Sequence, residues 1–179
     1  MRMTLSPLSL PGVIEIRPHV AQDTRGSFIK TFQASDFEAA GLRADFRETY
    51  YSISEPNVIR GMHFQLPPHA LAKLVYCTSG EVLDSVLDLR TGPTYGHFES
   101  LILSSIKRNM LYIPPGCAHG FRTFDAPATL IYHVTSEYHT LSDTGILWNS
   151  FGFDWGITNP IVSERDTSFQ DFHHFSSPF

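Results

Sequence analysis

Short runs of β-branched and aromatic residues, four to eight long, recur about every 8 to 15 positions in this chain, broken by 12 Gly and 12 Pro. Residues 13–16, 27–32, 58–64, 73–77, 82–89, 98–103, 110–113 and 129–134 each read as a strand, because such side chains pack well on a pleated surface and Gly and Pro interrupt it. Only Ser35–Gly41 reads as a helix, with Ser35 as its cap, Glu38 three positions on and Gly41 as its terminator. Many short strands and no long helix predict an all-β sandwich or barrel with short peripheral helices. From Trp148 to Phe179 the alternation is lost and Asn, Asp, Ser and Pro increase. This stretch is expected to wrap over the barrel, with its last few residues disordered.

At 179 residues, with no repeat and no linker, the chain is expected to form one domain over 1–179. Thirteen Lys and Arg against 18 Asp and Glu give a net charge of -5, which argues against a general nucleic-acid partner. No apolar run nears the roughly 20 residues that cross a bilayer. Residues 1–11 carry two prolines and three Ser/Thr and do not build an export signal, so a cytoplasmic protein is expected. Cys77 and Cys117 are expected as free thiols, since a chain of this length can bury a core without a disulfide.

The segment Ile113-Pro-Pro-Gly-Cys-Ala-His119 contains P-x-G-x-x-H, which resembles the second motif of the cupin superfamily, where the Gly turns the chain and the His points into the barrel mouth. The superfamily's first motif supplies H-x-H and a Glu that ligate a metal; here the matching stretch is Gly61-Met-His63-Phe-Gln65, with Gln65 in place of the second His. Two imidazoles fall short of the three protein ligands that a catalytic zinc or iron takes, so no metal is expected. Two histidines at motif positions on different strands, one flanked by Arg60 and Gln65, favour a polar interior site over histidines satisfied in a core.

Longer matches in order make the chain resemble the dTDP-4-dehydrorhamnose 3,5-epimerases and their nucleotide-sugar epimerase relatives. Asp23-Thr-Arg25-Gly-Ser-Phe28 resembles D-x-R-G-x-F, and Ile59-Arg-Gly-Met-His-Phe-Gln65 with Pro67-Pro68 resembles L-R-G-L-H-Y-Q followed by P-P. Lys73-Leu-Val75, Val86-Leu-Asp-Leu-Arg90, Pro114-Pro-Gly-Cys-Ala-His-Gly-Phe121, Tyr132, Tyr138 and Ser163-Glu-Arg-Asp166 follow at family spacing. The resemblance implies a cupin-type jelly-roll barrel and cofactor-independent epimerisation beside the C4 ketone of an NDP-4-keto-6-deoxyhexose. It implies His63 as the base, Asp166 as its orienting carboxylate, Tyr132 as the acid on the opposite face and Lys73 beside the developing oxyanion, with His119 lining the site.

For the diphosphate it implies Arg25 and Arg60, with Tyr138 reaching the ligand, and it places Arg25 in a neighbouring subunit of a homodimer. Phe28, Lys30, Glu48, Tyr50 and Gln65 fall at matching positions and complete the candidate substrate contacts. Three of them depart from the family. Lys30 reverses a charge, and Glu48 and Tyr50 stand where the family has Gln and Asn; a Glu accepts hydrogen bonds where an amide both accepts and donates. A pairing of Glu48 with Lys30 between subunits would reconcile two of these changes.

The departures keep other substrates open, a CDP-linked or other NDP sugar or inversion at one centre. Two further classes also stay open: a metal-dependent cupin oxygenase or isomerase, and a non-catalytic sugar-nucleotide-binding cupin. Because epimerisation reaches only an equilibrium, a downstream ketoreductase is an expected partner.

Overall fold

The computed structural model describes residues 3–179. Met1 and Arg2, the start of the stretch read above for an export signal, lie outside the described residues. In chain order the strands are β1 (Thr4–Pro7), β2 (Ile14–Arg17), β3 (His19–Asp23), β4 (Gly26–Lys30), β5 (Glu48–Ser54), β6 (Ile59–Gln65) and β7 (Lys73–Ser79). Then come β8 (Glu81–Asp88), β9 (Phe98–Ser104), β10 (Met110–Ile113), β11 (Cys117–Thr123), β12 (Ala128–Val134) and β13 (Asp143–Gly145). Helix α1 (Ala34–Ala39) precedes β5, and α2 (Glu164–Thr167) and a 3-10 turn (Phe172–His174) follow β13.

Two antiparallel sheets face each other as a cupin jelly roll: a six-stranded sheet in the order β1-β2-β10-β7-β12-β5 and a five-stranded sheet in the order β13-β6-β11-β8-β9. Strands β3 and β4 form a separate two-stranded ribbon. Alternation decides what faces inward. Along β12, Ala128, Leu130, Tyr132 and Val134 are buried while the residues between them are partly exposed. On β11, Cys117 and Phe121 join the inter-sheet core of Val75, Val82, Val86, Leu103 and Leu130, and Ala118 packs outward.

The outward face of the five-stranded sheet is covered by the C-terminal segment, as expected. Ile59, Met62, Phe64, Leu87 and Ile146 pack there against Phe151, Trp155, Phe175 and Phe179. The expected disorder of the last residues is not seen: the Phe179 ring meets Phe64 edge-on at 5.9 Å, and the Phe179 carbonyl accepts from the Thr91 amide. Apolar anchoring outweighs the fraying that chain ends usually show.

Across the six-stranded sheet, α1 buries Phe37 completely among Phe32, Phe46 and Tyr112. Truncating such a ring to Ala costs about 3–5 kcal/mol. Ser35 is not the cap of this helix. Gln33 occupies the cap position without a side-chain bond to the backbone, and its amide donates to the Ser35 hydroxyl; Gly41, at φ 73, ends the turn as expected. Both cysteines are buried and free. Among the described residues, no helix is long and apolar enough to cross a membrane.

Candidate active site

One end of the barrel interior opens as a cavity of about 350 Å³. Strand β6 supplies Arg60, His63 and Gln65 to it. Simple alternation would send Arg60 and His63 to opposite faces, but β6 carries an extra residue between them, pairing His63 with His119 and Arg60 with Phe121. Gly61 permits the irregularity: its φ is 140, and a Cβ there would sit 2.6 Å from the Gly120 Cα. Its amide then points at Asp166.

His63 Nε2 lies 2.8 Å from Asp166 Oδ1, and the Gly61 amide donates to Asp166 Oδ2 at 2.9 Å. The carboxylate is presented by α2, where the Ser163 hydroxyl caps the helix by accepting the Asp166 amide. Burial alone would raise the Asp166 carboxyl, but the His63 bond and charge, the Gly61 amide and the Arg165 charge hold it below the usual carboxylate range. With that carboxylate ionised, Nε2 donates the proton and Nδ1, which has no protein partner, carries the lone pair. Burial pulls the His63 imidazole below its ordinary range against the pull of Asp166, so it is free to act as a base near neutrality.

Lys73 is buried at the start of β7 and donates to the His63 carbonyl at 3.0 Å; burial lowers its ammonium to about 8. Tyr132 stands on β12 with its hydroxyl 3.2 Å from the Ser52 hydroxyl, and its ring stacks on Tyr50 at 4.8 Å. Burial raises the Tyr132 phenol strongly, which keeps it protonated and able to deliver a proton. Burial also pushes Tyr50 up to about 12, helped by the charges of Glu48 and Asp143. Arg60 reaches the Ser54 hydroxyl at 2.9 Å and remains exposed at the rim.

The structure thus brings ten of the thirteen expected residues to one cavity: His63, Lys73, Tyr132, Glu48, Tyr50, Arg60, Gln65, His119 and Tyr138 line it, and Asp166 stands behind His63. Two of the ten are engaged with backbone. Gln65 donates to the His69 and Glu137 carbonyls and accepts the His139 amide, so it fixes the loop that carries Tyr138. Glu48 accepts the Tyr138 amide at 2.7 Å.

Arg25, Phe28 and Lys30 are not at the cavity of their own chain. All three sit on the β3–β4 ribbon, which among the described residues pairs with neither sheet: Arg25 grips Asp23 at 2.5 Å, Phe28 is 64% exposed and Lys30 donates to Gln33 of its own chain. Sequence reasoning missed Ser52, Asp143, Arg165 and Asp84. Asp143 and Arg165 line the cavity and bond each other at 2.6 Å. Asp84 lies beneath His119, 2.8 Å from its Nε2. Its signal was an acid at an inward position between Val82 and Val86. Among the described residues, no group of three His, Cys, Asp or Glu converges as a metal-ligand set.

A jelly roll whose open end holds a carboxylate-tethered imidazole facing a buried phenol and a buried ammonium defines a cupin-fold proton-transfer site. The sequence model of the dTDP-4-dehydrorhamnose 3,5-epimerase family matches residues 7–174, and the chain belongs to that family. It is 36% identical to the dTDP-4-dehydrorhamnose 3,5-epimerase of Shigella flexneri, over 95% of this chain and 96% of that one. It is 37% identical to the dTDP-4-dehydrorhamnose 3-epimerase of Streptomyces niveus, over 92% and 81% of the two chains. Its fold superposes with a TM-score of 0.92 and 30% identity on the Legionella pneumophila dTDP-6-deoxy-D-glucose-3,5-epimerase in complex with dTDP-4-keto-L-rhamnose, covering 98% and 95%.

Proposed function

We propose that this chain is an isomerase that epimerises C3 and C5 of a dTDP-linked 4-keto-6-deoxyhexose without a cofactor. The observation that carries the reading is the His63–Asp166 pair set opposite Tyr132 across one cavity. A hydrogen on carbon next to a ketone is acidic enough for an imidazole when the enolate oxygen is stabilised. His63 Nδ1 takes that proton, Lys73 offers positive charge to the enolate oxygen, and the Tyr132 hydroxyl returns a proton from the other face. Solvent then reloads the phenol and unloads the imidazole. Arg60 and Tyr138 at the rim suit a diphosphate and the nucleoside beyond it.

The β3–β4 ribbon completes the picture as a homodimer. Every residue of β4 is exposed, and a ribbon that leaves its own cavity without Arg25 is placed to serve a second copy's. The whole chain acts as one domain, in the cytoplasm, and a ketoreductase consumes its 4-keto product.

Inversion at C3 alone is the second reading, since the 37% identity to the Streptomyces niveus 3-epimerase is close to the 36% shared with the Shigella flexneri 3,5-epimerase. Proton NMR of dTDP-4-keto-6-deoxyglucose with the protein in deuterated water tests both. Exchange and inversion at C3 and C5 are expected; exchange and inversion at C3 alone establish the second reading, and no exchange with any NDP-4-keto sugar rejects both.

A further inference from the structure

Directly across the strand pair from His63 lies a second imidazole–carboxylate pair, His119 with Asp84. Asp84 projects inward from β8 and has no exposed surface. Its Oδ2 is 2.8 Å from His119 Nε2, and its Oδ1 is sealed with no hydrogen-bond partner. The His119 ring lines the cavity, and its Nδ1, without a partner among the described residues, opens to that cavity.

An ionised Asp84 beside a neutral imidazole would bury a net negative charge with one oxygen unpaired. Such an arrangement is costly, and one more proton removes the charge. That proton can reside in two places. On the ring, it makes an imidazolium with both nitrogens protonated. On the carboxyl, the acid donates to Nε2 and the ring's own proton moves to Nδ1. Both tautomers of the neutral pair present an N–H at Nδ1 to the cavity.

Of the titratable groups facing the pair, Lys73 is the one whose positive charge opposes that state. Lys73 and Cys77 approach from β7, His63 from β6, and Tyr132 from β12 with its ring 6.1 Å from His119. Burial pushes the Asp84 carboxyl up, against the charges of His119 and Lys73, and it pushes the Cys77 thiol up to about 12 and the Tyr132 phenol strongly upward. Lys73 is the one facing group that can carry a fixed positive charge, and the enolate oxygen draws on it.

We propose that Asp84 is a positioning residue for the epimerisation: paired with His119, it keeps a proton on the cavity-facing Nδ1, so that His119 and Lys73 together donate to the oxygen that becomes negative. The inference rests on the epimerase reading above. It adds a second donor to the oxyanion site and assigns its control to a residue that never touches substrate.

Nitrogen-15 NMR of the full chain labelled at histidine tests the proton directly, with the His119 signals identified by their loss in His119→Gln. Nδ1 of His119 is expected to carry a proton at pH 7; a bare Nδ1 overturns the proposal. In the deuterium assay, Asp84→Leu is expected to lower kcat about 100-fold, the order found when one oxyanion donor is removed. KM should stay within about threefold, with exchange and inversion falling together because enolate formation itself slows. A folded Asp84→Leu with wild-type kcat overturns the proposal even if Nδ1 is protonated. Should that variant not fold, the wild-type spectrum decides alone. Absence of turnover by the wild-type protein would instead reject the epimerase reading.

Discussion

The two imidazole–carboxylate pairs of this barrel share their geometry and differ in their chemistry. In both, Nε2 lies 2.8 Å from a buried carboxylate and Nδ1 has no partner among the described residues. Asp166 also receives the Gly61 amide and faces Arg165, and its carboxyl falls below the usual range. Asp84 has one bond and an orphan oxygen, and its carboxyl rises. The first pair therefore turns a lone pair toward the cavity and the second turns a proton. Complete burial with an unpaired oxygen sets Asp84 apart from Asp166, whose second oxygen takes the Gly61 amide.

The largest test of that contrast is His63→Ala. Without a base, exchange and inversion should both fall about 1000-fold or more in the deuterium assay. Asp166→Asn should cost about 100- to 1000-fold, because the amide can donate to Nε2 and move the ring proton to Nδ1, turning the first pair into a copy of the second. Its signature in the nitrogen-15 spectrum is a proton on His63 Nδ1. Tyr132→Phe should separate the steps: inversion falls about 100-fold while His63 still exchanges the proton it removes, so the exchange-to-inversion ratio rises.

The smallest expected effect is in the pH profile. His63 must be neutral to act, and its range lies below 6.5, so kcat/KM is lost as pH falls below that value. Lys73 must be charged, so activity declines as pH rises through about 8. Lys73→Met should remove the alkaline limb and leave the acid one, and an unchanged alkaline limb would take Lys73 out of the oxyanion site.

Strand patterning made the barrel legible, because inward residues at i and i+2 on β12, such as Ala128, Leu130 and Val134, alternate with partly exposed ones along the sequence itself. Strands β1, β3, β5, β11 and β13 were not read from the sequence. Glu48–Ser54 is nearly all polar or aromatic, because its inward side faces the cavity rather than the core. Cys117–Thr123 reads as a motif before it reads as a strand. The site was legible through resemblance more than through periodicity: Arg60 and His63, three apart, share a face only because of an extra residue, and Gly61 is its sole local sign. No local pattern joins His63 to Asp166, and the position of the β3–β4 ribbon depends on contacts outside its own sequence. Asp84 could have been found, since an acid at a core position needs a partner and the inward His119 was the nearest one available.

The carboxylate that orients His63 follows it by 103 positions and arrives on the segment that closes the outer face of the five-stranded sheet. A chain emerging from the ribosome therefore carries His63, Lys73 and Tyr132 well before Asp166. In the epimerase reading, the site is complete only when that last segment lies against the outer face of the barrel.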